Sequence, residues 1–280
     1  MKISKPSVLQ NFLCEQGMKA KKHSSQNFLI DGNIIKKIIN AANVVEGDTV
    51  LEIGPGPGAL TQEMLERGAK VVAVEKDKQL AKALYRLQTD DNRLTVLDQD
   101  VLDFDITAYF SEELQSGKKI KVVANLPYHI TTPIISKLLP LYHIISSMTL
   151  MVQKEVAHRF TASKGTKDYS SFTIYIQHFG TVKYCFTVEP TCFYPKPSVK
   201  SAVVHFVLQK MEQIENQENF FLMIRTAFLK RRKMLKSSLK DLYPTEKVEK
   251  GLQELNLNPL ARPEELTREN FLSLYKKLIA

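Results

Sequence analysis

From Asp31 onward the apolar positions alternate between two spacings. Ile34, Ile35, Ile38 and Ile39 recur at helical intervals behind Asp31, a side chain suited to capping a helix N-terminus. The next stretch, Thr49 to Ile53, is rich in β-formers, as a buried strand would be. The alternation then repeats, with helix over 59–67, strand over 70–75, helix over 77–87, strands over 94–97 and 120–124, and helix over 132–139. Strand and helix in turn predict an α/β fold built on a mostly parallel, doubly wound sheet. Past Met148 the pattern changes to extended segments over 182–188 and 201–208, the alternation expected of an antiparallel pair at a sheet edge. From Met211 only helical spacing remains, in Phe220, Phe221, Ile224 and Phe228, then Leu235, Leu239 and Leu242, then Phe271, Leu274 and Leu278. Three regions follow: a flexible basic arm over 1–22, an α/β domain over 23–210, and a small all-α domain over 211–280.

The chain has 280 residues, of which 44% are hydrophobic, enough to bury a substantial core. Its net charge of +9, from 39 Lys and Arg against 30 Asp and Glu, points towards a polyanionic partner. Three scattered cysteines, Cys14, Cys185 and Cys192, form neither a disulfide framework nor a zinc ribbon and fit a reducing compartment. No apolar run approaches the roughly 20 residues of a membrane helix, and the N-terminus has no secretory h-region, so a soluble cytoplasmic protein is expected. The histidines show no metal-ligand spacing, and no Ser or Cys nucleophile motif is evident.

Val50-Leu51-Glu52-Ile53-Gly54-Pro55-Gly56-Pro57-Gly58-Ala59 runs a buried strand into glycines and then a helix, where small residues let a ligand lie against the backbone. Gly54, Gly56 and Ala59 also satisfy the dinucleotide pattern, which leaves a nicotinamide or flavin enzyme open. Pro55 and Pro57 remove two N–H donors from a turn that would otherwise hold pyrophosphate, favouring a ligand without phosphate, such as S-adenosylmethionine. Glu75 ends the next strand, 21 residues beyond Gly54, and suits both ribose hydroxyls of either cofactor. Asp100, after the third strand, is a candidate acceptor for an adenine amine, with Val101 as an apolar surface for the ring. Asp98 and Asp100 are equally compatible with simply ending a strand.

After the fourth strand comes Asn125-Leu126-Pro127-Tyr128. An exocyclic adenine nitrogen is a poor nucleophile because its lone pair is delocalised into the ring. An amide oxygen and a backbone carbonyl accepting both its hydrogens would draw it towards tetrahedral geometry. Asn125 supplies the first acceptor, Leu126 the second with its direction biased by Pro127, and Tyr128 a face on which a base can stack. The bland reading of the same residues is a turn at a strand end.

Taken together these residues resemble the ribosomal RNA adenine N6,N6-dimethyltransferase family. The likeness extends through Gln26-Asn27-Phe28-Leu29, Gln153-Lys154-Glu155-Val156, Phe193-Tyr194-Pro195-Lys196-Pro197-Ser198-Val199, and Thr226-Ala227-Phe228 leading into Arg231-Arg232-Lys233. It implies a Rossmann-like methyltransferase catalytic domain with a helical C-terminal RNA-binding domain. The implied reaction is dimethylation of two adjacent adenosines near the 3′ end of small-subunit ribosomal RNA, by a monomer acting on a precursor of the small ribosomal subunit. By position it implies S-adenosylmethionine contacts at Asn27, Leu29, Gly54, Glu75, Asp100 and Asn125, with Phe193 joining Tyr128 around the base. The Phe193 ring can otherwise be simple core. Ser25 stands where the family often has Gly, and His129 where Asn is usual; neither removes a proposed chemical group.

Arg232, Lys236 and Lys240 recur every four residues and, if helical, line one face with Arg231 and Lys233 beside them, a candidate phosphate-binding stripe. A solvated helix face is its ordinary alternative. Two other functions remain open: a dimethyltransferase of the same architecture acting on large-subunit RNA, and a non-catalytic RNA-binding or assembly factor.

Overall fold

The computed structural model describes residues 6–15, 17, 27–88, 90–209 and 212–280. Ser25, Gln26 and the basic Lys19, Lys21 and Lys22 lie outside them. The strands are β1 (Phe28–Leu29), β2 (Thr49–Ile53), β3 (Lys70–Glu75), β4 (Leu94–Asp98), β5 (Ile120–Asn125), β6 (Ile145–Gln153), β7 (Gly180–Val188), β8 (Phe193–Tyr194) and β9 (Ser201–Leu208). The helices are α1 (Pro6–Glu15), α2 (Gly32–Ala41), α3 (Ala59–Glu66), α4 (Lys78–Leu84), α5 (Ile106–Tyr109), α6 (Ser111–Gln115), α7 (Thr131–Leu138), α8 (Lys154–Phe160), α9 (Ser171–Phe179), α10 (Gln217–Leu229), α11 (Leu235–Ser238), α12 (Thr245–Glu254) and α13 (Arg268–Ile279).

The chain divides into two compact units, Met1–Ala157 with Thr181–Gln209, and His158–Gly180 with Lys210–Ala280. The first holds a seven-stranded sheet in the order β4-β3-β2-β5-β6-β9-β7. Its first five strands are parallel, and β9 returns antiparallel to β6, pairing Met151 with Val203 and Gln153 with Ser201. The Rossmann-like α/β expectation is met, and the two extended segments expected at a sheet edge, now β7 and β9, are neighbours at the end of the sheet, with β9 antiparallel to β6. In this strand order the chain leaves β2 for β3 on one side and later returns to β5 on the other. The carboxyl ends of β2 and β5 thus flank a topological switch point, where ligands of such sheets bind. Helix α2 starts as its sequence predicts: the Asp31 carboxylate accepts from Asn33 N at 2.9 Å and Ile34 N at 3.1 Å, a cap worth about 1 kcal/mol.

Three elements depart from the expectation. Residues 6–15, read as part of a mobile arm, form helix α1 and bury Leu9, Phe12 and Leu13 against Phe28, Ile30, Leu80 and Ala83. One apolar turn in a polar arm suffices when a matching patch awaits it. Strand β6 is nine residues long with both faces largely covered, so it has no alternation to announce it. Helix α9 reads Ser-Phe-Thr-Ile-Tyr-Ile-Gln-His-Phe, with strand-like alternation. A reciprocal capping box between Ser170 and Thr173 starts it as a helix.

The second unit is helical from residue 217 onward and also takes in α9, which the 210/211 boundary had left with the sheet. An aromatic cluster fills it: the Tyr175 and Phe221 ring centroids lie 4.8 Å apart, those of Phe220 and Tyr275 5.5 Å, both edge to face. The buried Tyr169 hydroxyl donates to the Leu266 carbonyl at 3.0 Å.

Candidate active site

A cavity of about 580 Å3 opens at the carboxyl ends of β2, β3 and β5, and Asn27, Leu29, Gly54, Glu75, Asp100, Asn125, Leu126, Pro127 and Tyr128 all line it. Each belongs to a turn that leaves a parallel strand or to the segment beside it, which is why residues scattered over a hundred positions meet.

The glycine-rich turn between β2 and α3 places Gly54, Gly56 and Gly58 at φ of +63°, +55° and +85°, a region that glycine enters without strain. Their free sides differ. A Cβ on Gly56 would lie 3.1 Å from the Phe28 ring and one on Gly58 2.6 Å from Leu87, whereas one on Gly54 would meet no atom within 4 Å. Gly54 therefore keeps its side of the cavity open, and the other two let neighbours close in. Glu75 is fixed by the turn: Oε2 accepts from Gly56 N at 3.0 Å and Oε1 from Asp77 N at 2.9 Å. Burial pushes its pKa up, and those two N–H groups oppose the push.

Glu52 was not singled out by its sequence context. It is 1% exposed, its carboxyl accepts from the Thr61 hydroxyl at 2.6 Å, and it lines the same cavity. Burial first, and the charge of Glu75 in addition, push its pKa up to about 8, so it holds a proton at neutral pH. Asp100 is the reverse case. Lys76 Nζ bonds its Oδ2 at 2.8 Å and Leu102 N its Oδ1 at 2.9 Å, and the lysine holds the carboxyl below the usual range. Asp98 and Asp100 thus divide: one ends β4, the other faces the cavity.

Asn125 ends β5 with its amide nitrogen donating to the Asn27 carbonyl at 2.9 Å. Tying down the donor end assigns the amide's direction and leaves its oxygen as an acceptor on a residue that lines the cavity. Leu126 N donates to the Met151 carbonyl at 3.1 Å, and the Leu126 carbonyl takes no hydrogen bond from the described residues. Two acceptors on consecutive residues are thereby presented together. Tyr128 begins a short 3-10 turn, and its hydroxyl bonds Ser201 Oγ at 2.7 Å, with Ser201 fully buried in β9. Nothing in the local pattern points to Ser201, because the contact depends on β9 lying next to β6. Thr131 adds a bond to the Pro127 carbonyl at 3.2 Å, securing the turn from below.

Phe193 is not brought to this group. It pairs with Leu29 across β1 and β8, is 3% exposed, and packs in the sheet core with Ile35, Ile38 and Val188. It is absent from the cavity lining, and the core alternative describes it here. The basic stripe is also altered. Helix α10 ends at Leu229 and α11 spans only Leu235–Ser238, so Arg232, Lys236 and Lys240 do not share a continuous helical face. Arg231 instead donates to the Lys167 and Thr166 carbonyls and pairs with Glu264, and Lys236 pairs with Glu249 at 2.8 Å. Arg232, Lys233 and Lys240 are exposed, with no ion-pair partner among the described residues.

Comparison with known proteins adds to this geometry. Residues 17–280 match the family model described as ribosomal RNA adenine dimethylase. A protein of Protochlamydia amoebophila called ribosomal RNA small subunit methyltransferase A is 49% identical over 278 residues, covering 99% of this chain and 98% of that one. Its namesake in Chlamydia caviae is 45% identical over 281 residues, with 99% of each chain covered. Among solved structures, a dimethyladenosine transferase from Plasmodium falciparum superposes with a TM-score of 0.76 at 27% identity, over 89% of this chain and 98% of that one. The 23S rRNA methyltransferase ErmE does so with a TM-score of 0.71 at 26% identity, over 91% and 100%.

Proposed function

The chain belongs to the ribosomal RNA adenine dimethylase family, and from that premise we propose that it dimethylates the N6 amines of two adjacent adenosines near the 3′ end of small-subunit ribosomal RNA. The observation that carries this reading is the Asn125 amide. Its nitrogen is committed to Asn27, which leaves its oxygen as the acceptor of a residue lining the cavity, next in the chain to Leu126. The small-subunit target is supported by the two chlamydial-type relatives, whose names carry it, at 49% and 45% identity over nearly the whole chain.

S-adenosylmethionine, the cofactor of the family, supplies an electrophilic methyl on a sulfonium. The residues present fit it: Gly54 leaves open space, Pro55 and Pro57 offer no N–H to a phosphate, and Glu75 and Asp100 are carboxylates for hydroxyl and amine donors. We assign Asn27, Leu29, Gly54, Glu75, Asp100 and Asn125 to holding it. The Asn125 oxygen and the Leu126 carbonyl would accept the two hydrogens of the target amine and localise its lone pair on nitrogen. Tyr128, held by Ser201, gives the extruded base an aromatic face worth on the order of 1–3 kcal/mol. An alkylated exocyclic ammonium is acidic enough to lose its proton without a strong base. After the first transfer one N–H remains, and one of the two acceptors would hold it for the second methylation.

Of the five stripe residues, Arg232, Lys233 and Lys240 are exposed and without an ion-pair partner among the described residues, and these three replace the stripe as the proposed RNA contact. Transfer of labelled methyl from S-adenosylmethionine to undermethylated small subunits, with large subunits and naked RNA as controls, tests the proposal. N6,N6-dimethyladenosine in the small subunit is expected. Label confined to large-subunit RNA would assign the chain to the activity that ErmE's name describes, and no label would leave a non-catalytic factor.

A further inference from the structure

Helix α1 lies outside the sheet, yet two lines of contact lead from it to the cavity wall. In the first, Leu9, Phe12 and Leu13 are 0%, 2% and 5% exposed and pack in a cluster of their own with Phe28 and Leu80. Phe28 and Leu80 also line the cavity, and the Phe28 ring covers the bare face of Gly56. In the second, the Arg86 guanidinium sits 4.3 Å from the centre of the Phe12 ring. Its two terminal nitrogens donate to the Ala83 carbonyl at 2.8 Å and to the Pro57 carbonyl inside the glycine-rich turn. A fork held by an aromatic face on one side and two carbonyls on the other loses little freedom for each bond it makes.

The N–H groups of Gly54, Gly56 and Gly58 bond the Val74 carbonyl, Glu75 and the Pro55 carbonyl, so the turn is held from the sheet side, and Arg86 adds a side-chain bond to its Pro57 carbonyl. Arg86 also stacks on the Phe12 ring, and Phe28, which faces Gly56, belongs to the same cluster as Phe12.

We propose that α1 is a brace for the cofactor cavity, and that Phe12 and Arg86 are positioning residues that set S-adenosylmethionine affinity without touching the reacting atoms. This rests on reading the cavity as the cofactor site. Seating of α1 pre-organises the turn, so its loss weakens cofactor binding. By reciprocity, bound cofactor tightens the seating of α1.

The test uses the full chain. With Phe12→Ala and with Arg86→Met, the Kd and KM for S-adenosylmethionine rise about tenfold, while kcat at saturating cofactor stays within about twofold and the KM for RNA is unchanged. Phe12→Tyr, which keeps the ring, restores wild-type binding. An unchanged cofactor Kd alongside a lowered Tm would reduce α1 to a purely structural helix and overturn the brace. Hydrogen exchange on the wild type needs no variant to fold: cofactor should slow exchange of the amides of residues 9–13 by several-fold, and equal exchange with and without it would overturn the proposal. A wild type that binds no S-adenosylmethionine at all would overturn the cavity assignment itself, a different failure from variants that bind as the wild type does.

Discussion

A carboxyl group that keeps its proton to about pH 8 makes Glu52 a direct probe of the buried cavity floor. Its folded-state pKa lies above the unfolded 4.5, so its contribution to stability is complete below that value and is lost as pH rises towards about 8. Urea unfolding of the wild type and of Glu52→Gln between about pH 5 and pH 8 should show the wild type losing a few kcal/mol relative to the variant. A constant difference would mean that the carboxyl ionises normally. Asn125→Ala removes an acceptor and one hydrogen bond; transfer should fall by about 10²–10³ while stability changes by only about 1 kcal/mol. Ser201→Ala frees the Tyr128 hydroxyl and should cost about fivefold in kcat/KM for RNA with cofactor Kd unchanged, as a lost hydrogen bond of about 1 kcal/mol predicts. At this scale, what chemistry dictates was legible: an acid at the end of a strand, glycines in a turn, an Asn two residues before a Pro. What depends on neighbours distant in sequence was not. Glu52 is neutral because of its burial, Tyr128 is held because β9 brings Ser201, and Phe193 is core because β8 pairs with β1.

Elements were legible where the hydrophobic period was clean. Strands β2 to β5 and helices α2 to α4 follow runs bounded by Asp31, the glycine turn and Asp77, whose side chain caps α4 at Gln79 N and Leu80 N. Strand β6 and helix α9 escaped because a doubly covered strand has no polar face and because β-branched and aromatic residues carry strand propensity even where a capping box starts a helix. The turn that joins β2 to α3 has the sharpest element-level test. Gly58 caps α3 at φ +85°, and an added Cβ would approach Leu87 to 2.6 Å and Leu84 to 2.7 Å. Gly58→Ala should therefore destabilise by about 1–3 kcal/mol through strain and overpacking and raise the cofactor KM, measured by urea unfolding and kinetics. Gly54→Ala meets no such clash. Its smaller loss of stability beside a comparable or larger loss of cofactor binding would separate the glycine that serves the ligand from the glycine that serves packing.

For the whole molecule, a net charge of +9 says that a polyanion is a suitable partner but not which cations meet it. The helical unit sorts them. Arg231 is spent on the Thr166 and Lys167 carbonyls and on Glu264, and Lys236 on Glu249, whereas Arg232, Lys233 and Lys240 stand exposed. If those three each neutralise a phosphate, changing all of them to Ala lowers the slope of log K against log salt for RNA binding by about two to three, because each contact releases close to one counterion. Arg231→Ala should behave oppositely. Its loss unties residues 166 and 167 from the 231 segment, lowering stability by about 1–3 kcal/mol, and leaves the salt slope unaltered. Both measurements are needed, since a fall in affinity alone cannot tell a cation that binds RNA from one that shapes the unit presenting it. A triple variant with an unchanged slope would move the RNA contact off this segment and onto other cations of the chain.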